Sequence, residues 1–285
     1  MCFKNAGCGR HRDRRAIMDF FDAHCHLQDK RLMAQLEAVL ARSSQAGITR
    51  YLLGGTDPDD WKRQQELQKN LPARIFMSFG IHPWRAAGLD ALAAQKTINA
   101  LEEALTAHGR DVSAIGETGI DKGPRMTNNS LKMQTLLFER QLAIARTAAK
   151  PVVLHVVRAH EEVLAALKNA RLSAGGLVHA FASNHDTAKK YMDLGFYLSF
   201  GAASGQRSTA ALVPHDRVVL ESDAPDMLPR GHTTPSGLNE PSSVRLAAQA
   251  LTTTLNLPED HILALSTRNI EQLLKSGAAA QAMPQ

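Results

Sequence analysis

The sequence predicts a single-domain (β/α)8 barrel, and three observations carry that reading. Short apolar runs rich in β-branched and aromatic residues recur eight times along the chain. Stretches with apolar residues at three- and four-residue steps separate them, the period of a helix with one buried face. Eight such units in about 250 residues match the size of a closed parallel barrel. A doubly wound open sheet is the alternative with the same alternation, because strand count alone does not prove closure.

In chain order the strand candidates are FFDAHCHL, ITRYLLGGT, IFMSFGIHP, SAIGETGID, PVVLHVV, GGLVHAF, GFYLSFG and RVVLESDAP. The helical patterns include LMAQLEAVLARSSQAG, LDALAAQKTINALEEALTAH, SLKMQTLLFERQLAIARTAAK and AHEEVLAALKNAR. PSSVRLAAQALTTTLNLPEDHILALSTRNIEQLLK reads as two closing helices. Ser130 and Ser183 stand where helix N-caps are expected. In the first strand, strict alternation puts Asp22, His24 and His26 on one face and Phe21, Ala23, Cys25 and Leu27 on the other.

Composition bounds the rest. The chain has 285 residues and 44% hydrophobic content, enough for one large core. It has no apolar run of the roughly 20 residues that span a bilayer and no secretory signal pattern near the N-terminus, so a cytoplasmic protein is expected. Cys2, Cys8 and Cys25 are odd in number and lack C-x-x-C spacing, which argues against a disulfide framework or a cysteine zinc site. The net charge is +5. Lys4, Arg10, Arg12, Arg14 and Arg15 against Asp13 account for +4 of it, leaving about +1 for the remainder. Overall basicity is therefore weak evidence for a nucleic-acid partner. The expected organisation is a flexible basic extension over 1–17, the barrel over 18–275 and a frayed tail over 276–285. Nothing indicates an obligate protein partner.

In a barrel of this kind the C-terminal strand ends share one mouth, where active sites lie. His24 and His26 end the first strand, His82 the third, Glu117 the fourth, His155 the fifth, His179 the sixth and Asp223 the eighth. Excluding His82, this is a ligand set for two divalent ions. One ion would take His24, His26, Glu117 and Asp223; the other would take Glu117, His155 and His179, with positions left open for water and substrate. Such a pair polarises phosphoryl or carbonyl oxygens and generates a hydroxide nucleophile near neutral pH, and Asp223 can accept the proton of the attacking water. Imidazole-rich ligation favours zinc, manganese, nickel or iron over magnesium.

The ordered series DAHCHL, GIHPW, IGETGID, PVVLHVVRA, LVHAF, YLSFG, LESDAP and NEP, over about residues 18 to 275, resembles the TatD family of metal-dependent deoxyribonucleases within the amidohydrolase superfamily. The resemblance implies a TIM-like barrel, a divalent-metal site and hydrolysis of DNA phosphodiester bonds, often from the 3′ end, with single-stranded DNA or 3′ ends as the expected substrate. It implies metal ligation by His24, His26, Glu117, His155, His179 and Asp223, and places His82 near the scissile phosphate. The chain departs from the family pattern at Lys122, where an aromatic residue is common, in the run HAFASN, and at Ala202 and Ala203, where the family has two glycines. These changes remove no ligand but alter the mouth.

Arg158 and Lys122 are candidate grips for a substrate phosphate; Arg158 has Glu161 and Glu162 as competing partners. His82 can donate a proton to the leaving oxygen or anchor its loop. Glu221 is expected to orient a ligand, and Asn239, Glu240 and Pro241 to shape a loop. Trp84 offers a face for a nucleobase, or packs on its own loop. Two rival functions fit the same sequence: a hydrolase of another small phosphoester, carboxylic ester, lactone or amide, and a metal-stabilised binding protein without turnover.

Overall fold

The structure is a computed structural model and describes residues 19–203 and 207–281. Eight strands run in chain order as one parallel sheet: β1 (Phe20–Cys25), β2 (Ile48–Leu53), β3 (Ile75–Phe79), β4 (Val112–Asp121), β5 (Val152–Val157), β6 (Gly176–Val178), β7 (Phe196–Gly201) and β8 (Val218–Glu221). The helices are α1 (Lys30–Met33), α2 (Leu36–Gln45), α3 (Pro58–Asn70), α4 (Pro83–Ala86), α5 (Ala91–His108), α6 (Asn128–Thr147), α7 (His160–Ala170), α8 (His185–Asp193), α9 (Arg207–Ala210), α10 (Val244–Leu255) and α11 (Glu259–Gln281). The ring closes where β8 meets β1. There the Asp223 amide donates to the His24 carbonyl at 3.0 Å and the His26 amide to the Ala224 carbonyl at 2.7 Å.

Strand periodicity divides the apolar residues into two cores. Outward-facing side chains pack under the helices, while Phe21, Leu52, Phe76, Ala114, Val153, Leu177, Tyr197 and Val219, one from each strand, form an inner layer. Ile270 and Leu273 of α11 pack against that layer. The N-terminal end of the barrel is therefore filled with hydrocarbon, and polar chemistry is confined to the other end.

The first strand departs from strict alternation. Its pairing with β2 steps from Asp22 opposite Tyr51 to Cys25 opposite Leu53, three residues against two. This is the signature of a bulge. Phe21 and Ala23 consequently belong to the inner layer, whereas Cys25 and Leu27 belong to the outer core. The bulge resets the phase so that His24 and His26 still face the mouth.

Helix starts follow short polar side chains that satisfy free amides. Asp57, Asp90 and Asn184 cap α3, α5 and α8, with Pro58 at the first position of α3. The expected caps Ser130 and Ser183 are each displaced. Ser130 lies inside α6 and bonds the Thr127 carbonyl, and Asn184 caps α8 in place of its neighbour Ser183. Helix α11 continues through Gln281, six residues past the expected boundary at 275, consistent with the alanine-rich run over 278–280. The basic segment 1–17 and residues 282–285 lie outside the described residues. Among the described residues, no helix is long and apolar enough to cross a membrane.

Candidate metal centre and cleft

The C-terminal ends of the strands open into a cavity of about 1320 Å³, with His26, His82, Glu117, His155, His179 and Asp223 on its walls. Glu117 organises the floor. Its Oε2 lies 3.5 Å from His24 Nε2 and 3.4 Å from His26 Nε2, and both imidazoles lie 3.6 Å from Asp223 Oδ1. Its Oε1 lies 2.9 Å from His155 Nδ1, 3.0 Å from His179 Nε2 and 3.3 Å from His82 Nε2. One carboxylate therefore presents each of its oxygens to a different set of ring nitrogens. The four nitrogen–oxygen separations of the first set, 3.4–3.6 Å, suit donors that share one ion at roughly 2.1 Å.

Two further observations fit a cation. His24 Nε2 and Glu117 Oε2 are buried and accept or donate no hydrogen bond. Buried polar atoms are rarely left unpaired, and a shared ion satisfies both. Three groups of donors, His24–His179–Asp223, His24–His26–Glu117 and His82–Glu117–His155, each converge within 4.8 Å.

Hydrogen bonds on the far side of the rings fix which nitrogen points inward, the usual support of a metal-binding imidazole. His26 Nδ1 donates to the Gly54 carbonyl at 3.0 Å, which leaves Nε2 for the site. His155 Nε2 donates to Asp121 Oδ2 at 3.1 Å, which leaves Nδ1. His179 Nδ1 lies 3.5 Å from Glu221 Oε1, and that same oxygen accepts from the Ala180 amide at 2.6 Å. Glu221 therefore lies behind His179 and bonds the backbone next to it, while His179 Nδ1 itself has no hydrogen-bond partner among the described residues. Asn239 donates to the Ser222 carbonyl and Glu240 makes a two-pronged pair with Arg42, so the loop carrying Asp223 is tied to α2.

The electrostatics suit a cation as well. Burial alone would raise Glu117, but His82, His179 and His24 hold it well below the usual carboxylate range. Burial also opposes charge on Asp223, yet the imidazoles of His26, His179 and His24 beside it keep it low. Burial would depress His26 and His179, but Asp223 and Glu117 raise the first, and Glu117 with Glu221 raises the second, both well above ordinary imidazole. Positive charge on these rings balances the buried carboxylates, a role a divalent ion can also fill. His82 behaves oppositely: burial pushes it down to about 4.

All six expected ligands and His82 thus meet in one site. Arg158, with φ of +53°, is exposed on the cleft wall, and its side chain forms no hydrogen bond or ion pair among the described residues. Lys122 is a correction. Its Nζ pairs with Glu162 at 2.6 Å and it is absent from the cavity wall, because it follows the end of β4 and turns to α7.

Sequence reasoning passed over Asp121 and Gly54. Asp121 accepts from both His155 and the Trp84 indole, and the latter bond is 2.6 Å. Its signal was available, since it follows Glu117 by four residues and so shares its strand parity. Gly54 leaves room for two imidazoles; a Cβ there would sit 2.5 Å from His24 Cε1 and 2.6 Å from His26 Cε1.

Comparison with known proteins points the same way. A family model described as "TatD related DNase" matches residues 21–275. YabD of Bacillus subtilis, a metal-dependent hydrolase by name, is 29% identical over 266 residues, covering 90% of this chain and 98% of its own. A Danio rerio relative, tatdn3, named as a candidate deoxyribonuclease, is 25% identical over 261 residues, 89% of this chain and 96% of its own. The crystal structure of YjjV, a TatD homologue from Escherichia coli, superposes with a TM-score of 0.81 at 28% identity, covering 90% of this chain and 98% of that one.

Proposed function

The chain belongs to the TatD family of metal-dependent hydrolases, and from that premise we propose that it hydrolyses DNA phosphodiester bonds with two divalent ions held on either side of Glu117. The observation that carries this reading is the carboxylate of Glu117, with one oxygen facing His24 and His26 and the other facing His155 and His179. His24, His26, Glu117 and Asp223 would hold one ion and Glu117, His155 and His179 the other, and the pair would supply positive charge against the phosphoryl oxygens and make water a stronger nucleophile. Zinc, manganese, nickel and iron suit the imidazole-rich donors better than magnesium does.

The protein's own groups do the rest. Asp223 keeps one oxygen toward His24 and His26, and its second oxygen takes the proton of the attacking water. His82 accepts the Trp84 amide on Nδ1 at 3.1 Å, so its remaining proton sits on Nε2, the nitrogen aimed at Glu117. With burial holding the ring neutral at pH 7, His82 offers a hydrogen bond to a phosphoryl oxygen instead of delivering a proton to the leaving group. Arg158 stands on the wall with its guanidinium uncommitted and grips a neighbouring phosphate.

The test is degradation of end-labelled single-stranded DNA by protein stripped of metal and reloaded with each candidate ion. Ion-dependent cleavage is expected. Glu117→Gln should reduce it by more than the roughly 10–100-fold that loss of a ligand's hydrogen-bond partner costs. No DNA cleavage with any of these ions, together with ion-dependent turnover of a small phosphoester, lactone or amide, would move the assignment to that substrate class.

A further inference from the structure

Beside the metal centre, the cleft wall carries an aromatic side chain that the hydrolytic chemistry does not use. Trp84 follows His82 and Pro83 in the loop after β3, and 46% of its surface is open. Exposure of this size is unusual for an indole, whose burial is normally strongly favourable. The ring is nevertheless fixed. Its Nε1 donates to Asp121 Oδ2 at 2.6 Å, and its other neighbours include the edge of His82, with ring centroids 5.0 Å apart. The Arg125 guanidinium lies 5.3 Å from the ring centroid. A tryptophan that merely filled its own loop would be covered by that loop; this one is clamped at its edge and left open into the cavity.

The charges around the cleft divide in a consistent way. Arg31, Arg63 and Arg85 are each paired with a carboxylate, namely Asp29 and Asp226, Asp60, and Asp57. Arg125 touches the Trp84 ring, and neither it nor Arg158 forms an ion pair among the described residues. Lys30 on the cavity wall is likewise without an ion pair among the described residues, and of these three cations it is Arg125 that lies over the indole. An aromatic face with adjacent uncommitted guanidinium groups is the combination that binds unpaired bases and their backbone with little sequence preference. In a duplex the base faces are stacked on one another and unavailable.

We propose that Trp84, held by Asp121 and with Arg125 against its ring, is the stacking platform for an unpaired nucleobase next to the scissile phosphate. The inference rests on the phosphodiesterase reading for its substrate class. It adds a residue that holds a base beside that phosphate. Asp121 links the two sites: the oxygen that holds the indole is the one that holds His155.

Tryptophan emission tests this directly, because the chain has two tryptophans and Trp61 is buried, stacked on Phe79 and bonded to the Gly80 carbonyl. The probes are a fluorescein-labelled single-stranded oligoadenylate DNA and an abasic oligomer of equal length, charge and label, titrated into metal-free full-length protein, with quenching read from tryptophan and affinity from label anisotropy. Oligoadenylate should quench the emission and bind about ten- to a hundredfold more tightly than the abasic oligomer. Trp84→Ala should abolish that preference, while Trp84→Phe, which keeps an aromatic face, should retain most of it. Equal affinity for the two oligomers, or an unchanged preference in Trp84→Ala, overturns the proposal. Base-dependent quenching in a protein that cleaves no DNA would sink the nuclease reading and leave the platform standing. Cleavage of DNA without base-dependent quenching would do the reverse.

Discussion

Gly54→Ala tests how closely the metal centre depends on the barrel wall. The added methyl carbon would lie 2.5 Å from His24 Cε1, 2.6 Å from His26 Cε1 and 3.1 Å from His24 Nε2. Ordinary contact begins at 3.4 Å, so each ring must retreat by about 0.8–0.9 Å or the strand must shift by as much. The strand has little freedom. The Gly54 amide bonds the Cys25 carbonyl, and its carbonyl accepts from both His26 and Gln28. Rings displaced by nearly 1 Å lose the spacing at which they face Glu117 and Asp223, and a misplacement of that size costs roughly 10²-fold in rate. The expected result is a fall in kcat/KM for single-stranded DNA of about a hundredfold, with reduced metal content by elemental analysis and a folded protein by circular dichroism. Gly88→Ala is the control, since its nearest new contact is 3.8 Å away. A Gly54→Ala protein that binds metal and turns over like wild type would refute the reasoning.

Asp121→Asn removes the charge that orients His155 and the Trp84 indole. It should weaken metal binding by roughly 10–100-fold, read by competition with a chelating indicator, and unchanged affinity would deny Asp121 this role. Metal loading should also release protons. His26 and His179 are raised well above 6.5, so they carry protons at pH 7 in metal-free protein and must lose them to bind an ion. Calorimetry in buffers of different ionisation enthalpy should report net proton release at pH 7, with affinity falling as pH is lowered. Buffer-independent heats would contradict this assignment of the ring protons.

The barrel was legible because its determinants are local and periodic. Each strand is a short apolar run, each long helix has one apolar face, and both repeat at nearly constant spacing. The ligand set was legible for a related reason: the fold sends every strand's C-terminal end to one mouth, so His24, His155 and Asp223 could be grouped without knowing a single distance. What escaped depends on backbone detail and on choices between competing partners. The bulge between Asp22 and Cys25 cannot be read from alternation, since it breaks alternation. Whether a cation such as Lys122 faces the cleft or a neighbouring helix is decided by one turn of chain, and here Glu162 wins. Asp121 was hidden because its work is done on other side chains, His155 and Trp84, that come from distant parts of the sequence. Helix caps shifted by one to three residues because Ser, Thr and Asn cluster at the ends of α6 and α8, and any of them can serve.

The central claim is that one carboxylate joins two cation sites at the barrel mouth. Anomalous diffraction from crystals grown with manganese or zinc tests it most directly. Two peaks are predicted, one among His24, His26, Asp223 and Glu117 Oε2, the other among Glu117 Oε1, His155 and His179. Saturated crystals showing no ion in contact with Glu117, or ions only elsewhere on the protein, would contradict the account.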